Sequence, residues 1–305
     1  MYAADGCDWL AAMTTSRHLS LAILLVCCLA ATGAASQSLG PQDAERQALR
    51  EQVWRVPSGG QPLMLTTVYR PPGEARAPLA VVNHGSPSDG NARASMPRQR
   101  YSGISSWLVS KGYVVVVPQR RGYGETGGGW AEQYGTCTNP DYHRAGLETA
   151  ADIRAAIDYM RTQPFVAPDR TIVVGQSAGG WGSLALSSTN PPGVSHIINF
   201  AGGRGGQNTV FGADQYKNCT SSALVTAAGK YGATARVPTL WIYTENDSFF
   251  RPELAQNMFK AYTAGGKAVF KALGPSGKDG HSFLTQPNTS AIWGPMITEF
   301  LAGGR

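Results

Sequence analysis

The sequence has few cysteines and lacks the motifs that bind metals, nucleotides or nucleic acids. Its 305 residues include five cysteines, and no His or Cys spacing typical of a metal site occurs. It contains no Walker-type glycine loop, no dinucleotide-binding fingerprint and no internal repeat. The net charge is +6, but the basic residues are scattered and no run of five occurs. We therefore expect a globular protein that needs no cofactor or metal and binds no nucleic acid.

The N-terminal region carries little charge and one apolar stretch. Arg17 precedes this stretch, 19–31, and small residues follow it at 33–36. Such an order is typical of a signal peptide, and the stretch is shorter than the ~20 residues that span a membrane. We predict a signal peptide over 1–35, with Met13 as an alternative start. The mature protein is then secreted or periplasmic, without stable membrane insertion. An uncleaved anchor or a buried helix is the alternative.

Three of the five cysteines lie in this leader, so the mature chain keeps Cys137 and Cys219. Disulfides form and persist in the oxidising compartments that exported proteins reach. An even pair of cysteines in such a protein indicates one bridge. We predict a disulfide between the two residues, and two separate thiols are the alternative.

The mature chain alternates short apolar runs with longer amphipathic or small-residue segments. This alternation is typical of a mostly parallel sheet with helices on both faces. The predicted strands are 63–69, 79–82, 113–117, 171–174, 195–200, 239–243 and 268–273. The predicted helices are 104–110, 142–162, 178–188, 252–264 and 289–301. We therefore predict a single α/β domain over residues 36–305.

One long segment, 201–236, fits neither pattern. It is glycine-rich at its start and contains Cys219. We interpret it as a small cap or lid inserted over the active site. An ordinary long surface connection is the alternative.

A catalytic motif stands between a predicted strand and a predicted helix. Residues 175–179 match the pattern G-x-S-x-G, with Ser177 at its centre, directly after the strand 171–174. In a sharp strand-to-helix turn, the glycines relieve crowding and the serine hydroxyl is raised above the edge of the sheet. The start of the following helix also favours negative charge. The motif therefore predicts that Ser177 is a nucleophile.

A serine nucleophile needs a general base and a group that orients the base. Of the five histidines, only His281 follows the last predicted strand, where the base is expected. The acid is expected after the preceding strand, and Asp247 lies in that exit loop. Glu245, closer to the strand end, is an alternative, and Asp214 is a second one.

An oxyanion hole needs two backbone N–H groups that point at the oxygen of the tetrahedral intermediate. The amide of Ala178, which follows the nucleophile, is predicted to be one of them. The other is expected in the loop after strand 79–82, where Ser86 is the candidate. In the same loop, His84 is expected to be structural and to pack beneath the backbone.

These motifs together resemble the α/β-hydrolase superfamily, and most of all its dienelactone-hydrolase-like and prolyl-oligopeptidase-like branches. The resemblance covers about residues 50–301 and rests on the segments 83–86, 119–124 and 175–180 and on Asp247 and His281. It implies an α/β-hydrolase fold with a Ser-Asp-His triad. Dienelactone hydrolases proper carry cysteine in place of Ser177. Oligopeptidases carry a large N-terminal propeller, which nothing in this sequence can form.

These predictions favour a hydrolase that cleaves small-molecule carboxylic esters through an acyl-serine intermediate. A serine peptidase of the same fold is the alternative, in which Arg120, Arg121 or Arg204 would hold a charged end of the substrate. A catalytically inactive binding protein is a third possibility. The complete set of serine, acid and histidine in the expected order argues against it.

Overall fold

A nine-stranded sheet forms the centre of the protein in the computed structural model, which describes residues 38–206, 218–265 and 267–303. In chain order the strands are β1 (Gly40–Pro41), β2 (Gln52–Val56), β3 (Met64–Tyr69), β4 (Ala77–Asn83), β5 (Val114–Pro118), β6 (Gly135–Thr136), β7 (Asn139–Pro140), β8 (Val166–Gln176), β9 (Val194–Phe200), β10 (Thr239–Thr244) and β11 (Ala268–Leu273). Strands β6 and β7 form a separate hairpin outside the large sheet.

The order of strands across the sheet is β1-β2-β3-β5-β4-β8-β9-β10-β11. The first four strands in this order pair antiparallel, and every pair from β5 to β11 is parallel. Central strands such as β4, β5 and β8 are rich in valine and isoleucine because both of their faces are buried. The predicted mostly parallel sheet is confirmed.

The described residues form seven α-helices, six of which pack on the sheet. They are α1 (Gly90–Ala94), α2 (Ser102–Ser110), α3 (Tyr142–Met160), α4 (Ala178–Ser187), α5 (Ser221–Thr234), α6 (Pro252–Thr263) and α7 (Ser290–Gly303). The long helix α3 begins where the Asp141 carboxylate accepts a hydrogen bond from the Arg144 amide at 2.9 Å. Such a cap satisfies an N–H group that has no partner within the helix.

Two hydrophobic cores lie on opposite faces of the sheet because side chains alternate along a strand. In β4, Leu79 and Val81 point into one core, and Ala80 and Val82 point into the other. Helices α3, α4, α5 and α6 cover the first face, and α2 and α7 cover the second. The result is the three-layer arrangement that the sequence predicts.

The cap prediction for 201–236 is wrong over the part that forms α5. This helix buries Leu224, Ala227 and Tyr231 in the first core, so it is a core element rather than a lid. The helix is not evident in the sequence, because small residues dominate the segment and its large apolar side chains are few. Residues 207–217 lie outside the described part of the chain.

The predicted signal peptide, 1–35, also lies outside the described residues. Where the structure does describe the chain, no helix has both the length and the apolar character needed to cross a membrane.

Candidate active site

Ser177 lies on the sharp turn between β8 and α4. Its φ of 54° and ψ of −122° are unusual for a residue other than glycine. The turn closes tightly, because a Cβ atom at Gly175 would collide with the Gly179 carbonyl and one at Gly179 would collide with the Asn83 carbonyl. The two glycines of the motif are therefore required by packing. A strained backbone of this kind is typical of functional sites.

Asp247 and His281 lie side by side in two loops at the same edge of the sheet. The His281 Nδ1 atom is 3.1 Å from Asp247 Oδ1 and 3.2 Å from Oδ2. The carboxylate is buried and also accepts hydrogen bonds from the amides of Phe249 and Phe250, at 2.8 and 2.9 Å. Because an ionised carboxylate only accepts, Nδ1 must donate and Nε2 is left as the basic atom.

Among the described carboxylates near this loop, Glu245 and Asp279 make no hydrogen bond to the imidazole ring. Glu245 is exposed, and Asp214 lies outside the described residues. Asp279 binds the backbone instead, since it accepts from the His281 amide at 3.0 Å and from the Ser248 hydroxyl at 2.6 Å. Burial alone would raise the Asp279 pKa, but these hydrogen bonds lower it below its usual value. Asp279 thus shapes the loop that carries the histidine.

Two contacts connect the His281 loop with the nucleophile turn. The Gln176 side-chain amide donates to the His281 carbonyl at 3.0 Å, and Gln176 directly precedes Ser177. The Phe249 ring packs on the His281 ring with centroids 4.2 Å apart, and Phe249 lines the same cavity as Ser177. The structure therefore brings the three predicted triad residues into one region.

The loop after β4 passes close to the nucleophile. A Cβ atom at Gly85 would lie only 3.2 Å from the Ser177 Cβ atom. Ser86 and Ala178, the predicted oxyanion-hole residues, both line the cavity beside Ser177. The amide of Ala178 is at the start of α4, where N–H groups have no partner within the helix.

His84 has the structural position that the sequence predicts. Its ring is fully buried, with Nδ1 2.6 Å from the Gly85 carbonyl and Nε2 accepting from the Arg120 amide at 3.2 Å. Burial, together with the nearby Arg120 charge, lowers the pKa of His84 to about 3. The ring is therefore neutral at ordinary pH and holds the loop through both nitrogens.

The cavity at Ser177 has a volume of about 270 Å³. It is lined by Ser86, Pro87, Ser88, Arg93, Trp130, Tyr134, Ser177, Ala178, Gly203, Arg204, Gly205, Gly206, Cys219, Phe249 and Phe250. A larger groove of about 920 Å³ runs between α5 and α6, but none of the predicted catalytic residues lines it. We assign the smaller cavity to the candidate active site because Ser177 and the predicted oxyanion-hole residues Ser86 and Ala178 line it.

A buried ion cluster adjoins this cavity. Its central residue, Glu132, is not predicted from the sequence. The Glu132 carboxylate binds the guanidinium groups of both Arg120 and Arg204 and accepts from the Tyr123 hydroxyl at 2.8 Å. Burial alone would raise the Glu132 pKa, but the two arginines hold it well below its usual range. Arg121, on the outer side, pairs with Asp152 at 2.6 Å.

Cys137 and Cys219 form the disulfide that the sequence predicts, with Cα atoms 4.7 Å apart. The Thr220 hydroxyl also donates to the Cys137 carbonyl at 2.8 Å. Because Cys219 lines the cavity, the bridge ties part of the cavity wall to the turn between β6 and β7.

Comparisons with known proteins identify related sequences over part of the chain. A model of the prolyl oligopeptidase family matches residues 99–192. Dipeptidyl-peptidase 5 of Porphyromonas gingivalis is 32% identical over 95 residues, which make up 31% of this chain. The match spans only 13% of the length of that peptidase.

Solved structures share the fold over most of the chain. An esterase from Pyrococcus furiosus has a TM-score of 0.57 at 13% identity, covering 88% of this chain and 97% of its own. A proposed dienelactone hydrolase from Klebsiella pneumoniae has a TM-score of 0.54 at 14% identity, covering 82% of this chain and 98% of its own. An acylaminoacyl peptidase has a TM-score of 0.60 at 17% identity, covering 83% of this chain but 41% of its own.

The sheet and the strand-turn-helix motif give this chain an α/β-hydrolase fold, and the proteins it is similar to belong to the dienelactone-hydrolase-like and prolyl-oligopeptidase-like branches. The named relatives are hydrolases, and they include both esterases and peptidases.

Proposed function

We propose that this protein is a secreted or periplasmic serine hydrolase that cleaves small carboxylic esters. The observation that carries the proposal is the Asp247–His281 hydrogen bond at 3.1 Å, at the same edge of the sheet as a serine on a strained strand-to-helix turn. The location rests on the predicted signal peptide, and the Cys137–Cys219 bridge is compatible with it.

In the proposed mechanism, His281 Nε2 takes the proton of the Ser177 hydroxyl, and Oγ attacks the ester carbonyl carbon. The amides of Ser86 and Ala178 stabilise the negative oxygen that forms. The tetrahedral intermediate collapses, the ester C–O bond breaks, and the alcohol leaves with the proton from His281. Water, activated by the same histidine, then releases the acid from the acyl-serine. Asp247 stays ionised and stabilises the imidazolium.

The paired arginines support an ester rather than a peptide substrate. A peptidase that removes short peptides needs a charge to hold the substrate end. Arg120 and Arg204 are engaged by Glu132, and Arg121 is engaged by Asp152. The small cavity also suits small esters, because it lies below the ~300–1,000 Å³ that encloses drug-sized ligands. A peptidase remains the second candidate, favoured by the similarity to dipeptidyl-peptidase 5.

Fluorophosphonate labelling and two substrate panels test this proposal. The wild-type protein should be labelled and should hydrolyse p-nitrophenyl acetate faster than a panel of peptide p-nitroanilides. Ser177→Ala should abolish labelling and reduce turnover on the order of 10⁴-fold or more. Ser183→Ala is the matched control, because this buried serine lies on the same helix and bonds only to the Gly179 carbonyl. Labelling that persists in Ser177→Ala would show that another residue is the nucleophile.

A further inference from the structure

Within the described part of the chain, four aromatic residues line the cavity that contains Ser177. They are Trp130, Tyr134, Phe249 and Phe250. None of them is required by the triad mechanism, and Trp130, Tyr134 and Phe249 are only partly buried. Aromatic residues concentrated in a small cavity, together with a few polar groups, are typical of a site that binds an apolar ligand.

The rings on one side of the cavity are held in place by neighbours. The Arg93 guanidinium lies 3.8 Å from the centre of the Trp130 ring, and the Trp130 indole N–H donates to the Tyr123 hydroxyl at 3.1 Å. The Trp130 and Tyr134 rings meet edge to face with centroids 6.0 Å apart. Because such side chains lose little freedom on binding, their contacts contribute more to affinity.

We propose that the substrate carries an aromatic ring close to its ester group. Ring–ring contacts contribute to binding beyond the simple burial of area. An aromatic group should therefore be preferred over a linear alkyl group with the same number of carbons. The cavity of about 270 Å³ also disfavours long acyl chains. This inference rests on the proposed esterase function.

Pairs of esters with equal carbon number and similar intrinsic reactivity test the preference. Methyl 3-phenylpropanoate against methyl nonanoate reports on the acyl side, and benzyl acetate against heptyl acetate reports on the alcohol side. We expect kcat/KM to be about tenfold higher for the aromatic ester in at least one pair. Trp130→Leu and Tyr134→Leu should reduce that ratio. Tyr159→Leu, which removes an aromatic residue that does not line the cavity, should leave the ratio unchanged.

The outcomes separate this inference from the proposed function. Hydrolysis of the esters with equal rates in both pairs, or with the linear esters preferred, would overturn the aromatic assignment alone. No hydrolysis of any ester, including p-nitrophenyl acetate, would overturn the esterase proposal itself. A ratio that Trp130→Leu and Tyr134→Leu leave intact would show that other residues select the substrate.

A second inference rests on a separate hydrogen-bonded chain behind the site. The Tyr101 hydroxyl donates to Gln176 Oε1 at 2.6 Å and accepts from the Gly85 amide at 3.1 Å. The Gln176 amide nitrogen in turn donates to the His281 carbonyl at 3.0 Å. The side chains of Tyr101 and Gln176 thus link the loop after β4, the residue before the nucleophile and the loop that carries His281.

The backbone of Tyr101 also suggests a role beyond packing. Its φ of 46° and ψ of 48° lie in the left-handed region, which is costly for a bulky residue. Burial raises the pKa of its hydroxyl to about 12, so the group stays protonated and can donate at ordinary pH. We infer that Tyr101 and Gln176 are positioning residues. They hold the loop after β4, the nucleophile turn and the His281 loop in the relative positions that catalysis needs.

A double-mutant cycle on p-nitrophenyl acetate tests this role. Tyr101→Phe and Gln176→Leu should each lower kcat roughly tenfold, with KM changed less than kcat. The double variant should lose little more than the larger single loss, because both residues act through one chain. Tyr69→Phe is the control, since its buried hydroxyl bonds only to the Arg100 carbonyl at 3.4 Å. Unchanged kcat in Tyr101→Phe, or fully additive losses, would overturn the inference.

Discussion

At the residue scale, Asp247 and Glu245 show how burial separates two carboxylates in the same loop. Asp247 is almost fully buried and receives two backbone amides besides the imidazole. Glu245 is exposed, where solvent screens its charge. Only Asp247 can fix the tautomer of His281 and stabilise the imidazolium during turnover.

We therefore expect Asp247→Asn to lower kcat/KM on p-nitrophenyl acetate on the order of 10⁴-fold, since a neutral amide favours the wrong tautomer. Glu245→Gln should retain nearly full activity, because the exposed side chain does not contact the ring. Steady-state kinetics of the two variants, with circular dichroism as a check on folding, makes the comparison. Loss of activity in Glu245→Gln with retention in Asp247→Asn would reverse the assignment.

His84 gives the fold a dependence on pH that is separate from catalysis. Its pKa is about 3 in the folded protein and ~6.5 in an unfolded chain. Below pH 6.5 the unfolded chain binds a proton that the folded protein does not, so stability falls as the pH drops towards 3. Between pH 7 and pH 5 this group alone should remove about 2 kcal/mol of the free energy of unfolding.

Urea unfolding at pH 7 and pH 5 measures this effect. The His84→Gln variant should be less stable at pH 7, but it should lose about 2 kcal/mol less than the wild type on acidification. His143→Gln is the comparison variant, because its ring is only partly buried; burial, together with the nearby Lys230 charge, lowers its pKa as well. Equal acid-induced losses in His84→Gln and the wild type would contradict the buried neutral ring.

At the element scale, the parallel strands explain why much of the site is predictable. The strands β4, β8, β10 and β11 run in the same direction, so the loops that follow them meet at one edge of the sheet. Ser86, Ser177, Asp247 and His281 each follow one of these strands. Buried apolar runs and their exit loops can be found in the sequence, and these residues are found with them.

Elements without such a signal are missed or shortened. Strand β2 (Gln52–Val56) mixes polar and apolar residues, and α5 (Ser221–Thr234) is dominated by small ones, so neither shows a clear pattern. Strand β8 begins at Val166, ahead of the predicted start at 171. Val166 pairs with Ala77 of β4, and the register shifts before Thr171 pairs with Leu79.

Glu132 illustrates a site residue that local sequence cannot identify. It lies in an irregular loop, and its partners Arg120 and Arg204 belong to two other segments. The cluster joins the loop after β5 to the glycine-rich loop after β9. Its importance depends on tertiary contacts, which no short pattern encodes.

Glu132→Gln should destabilise the fold by about 3–5 kcal/mol, because it leaves two buried guanidinium groups without their counter-charge. The substitution keeps the size of the side chain, so the loss reports on charge rather than on a cavity. Glu148→Gln is the matched control: it removes a partly exposed partner of Arg121, which should cost less than about 1 kcal/mol. Chemical denaturation measures both. Similar small losses in the two variants would show that the cluster contributes little.

At the scale of the whole molecule, every described strand and helix lies between residues 40 and 303. Both hydrophobic cores are formed within that range, from Trp54 to Ile297. The disulfide and the predicted triad also belong to it. Folding of this region therefore depends on apolar surface that it buries itself.

A chain that begins at Gln37 should consequently fold without the leader when it is produced in an oxidising compartment. Its thermal midpoint and its fluorophosphonate labelling should equal those of the exported full-length product, because the leader is predicted to be removed on export. N-terminal sequencing of that product should begin close to residue 36. A Cys137→Ser, Cys219→Ser variant of the short chain measures the contribution of the bridge in the same assay. Retention of residues 1–35 in the exported protein, or failure of the short chain to fold, would contradict the signal-peptide prediction.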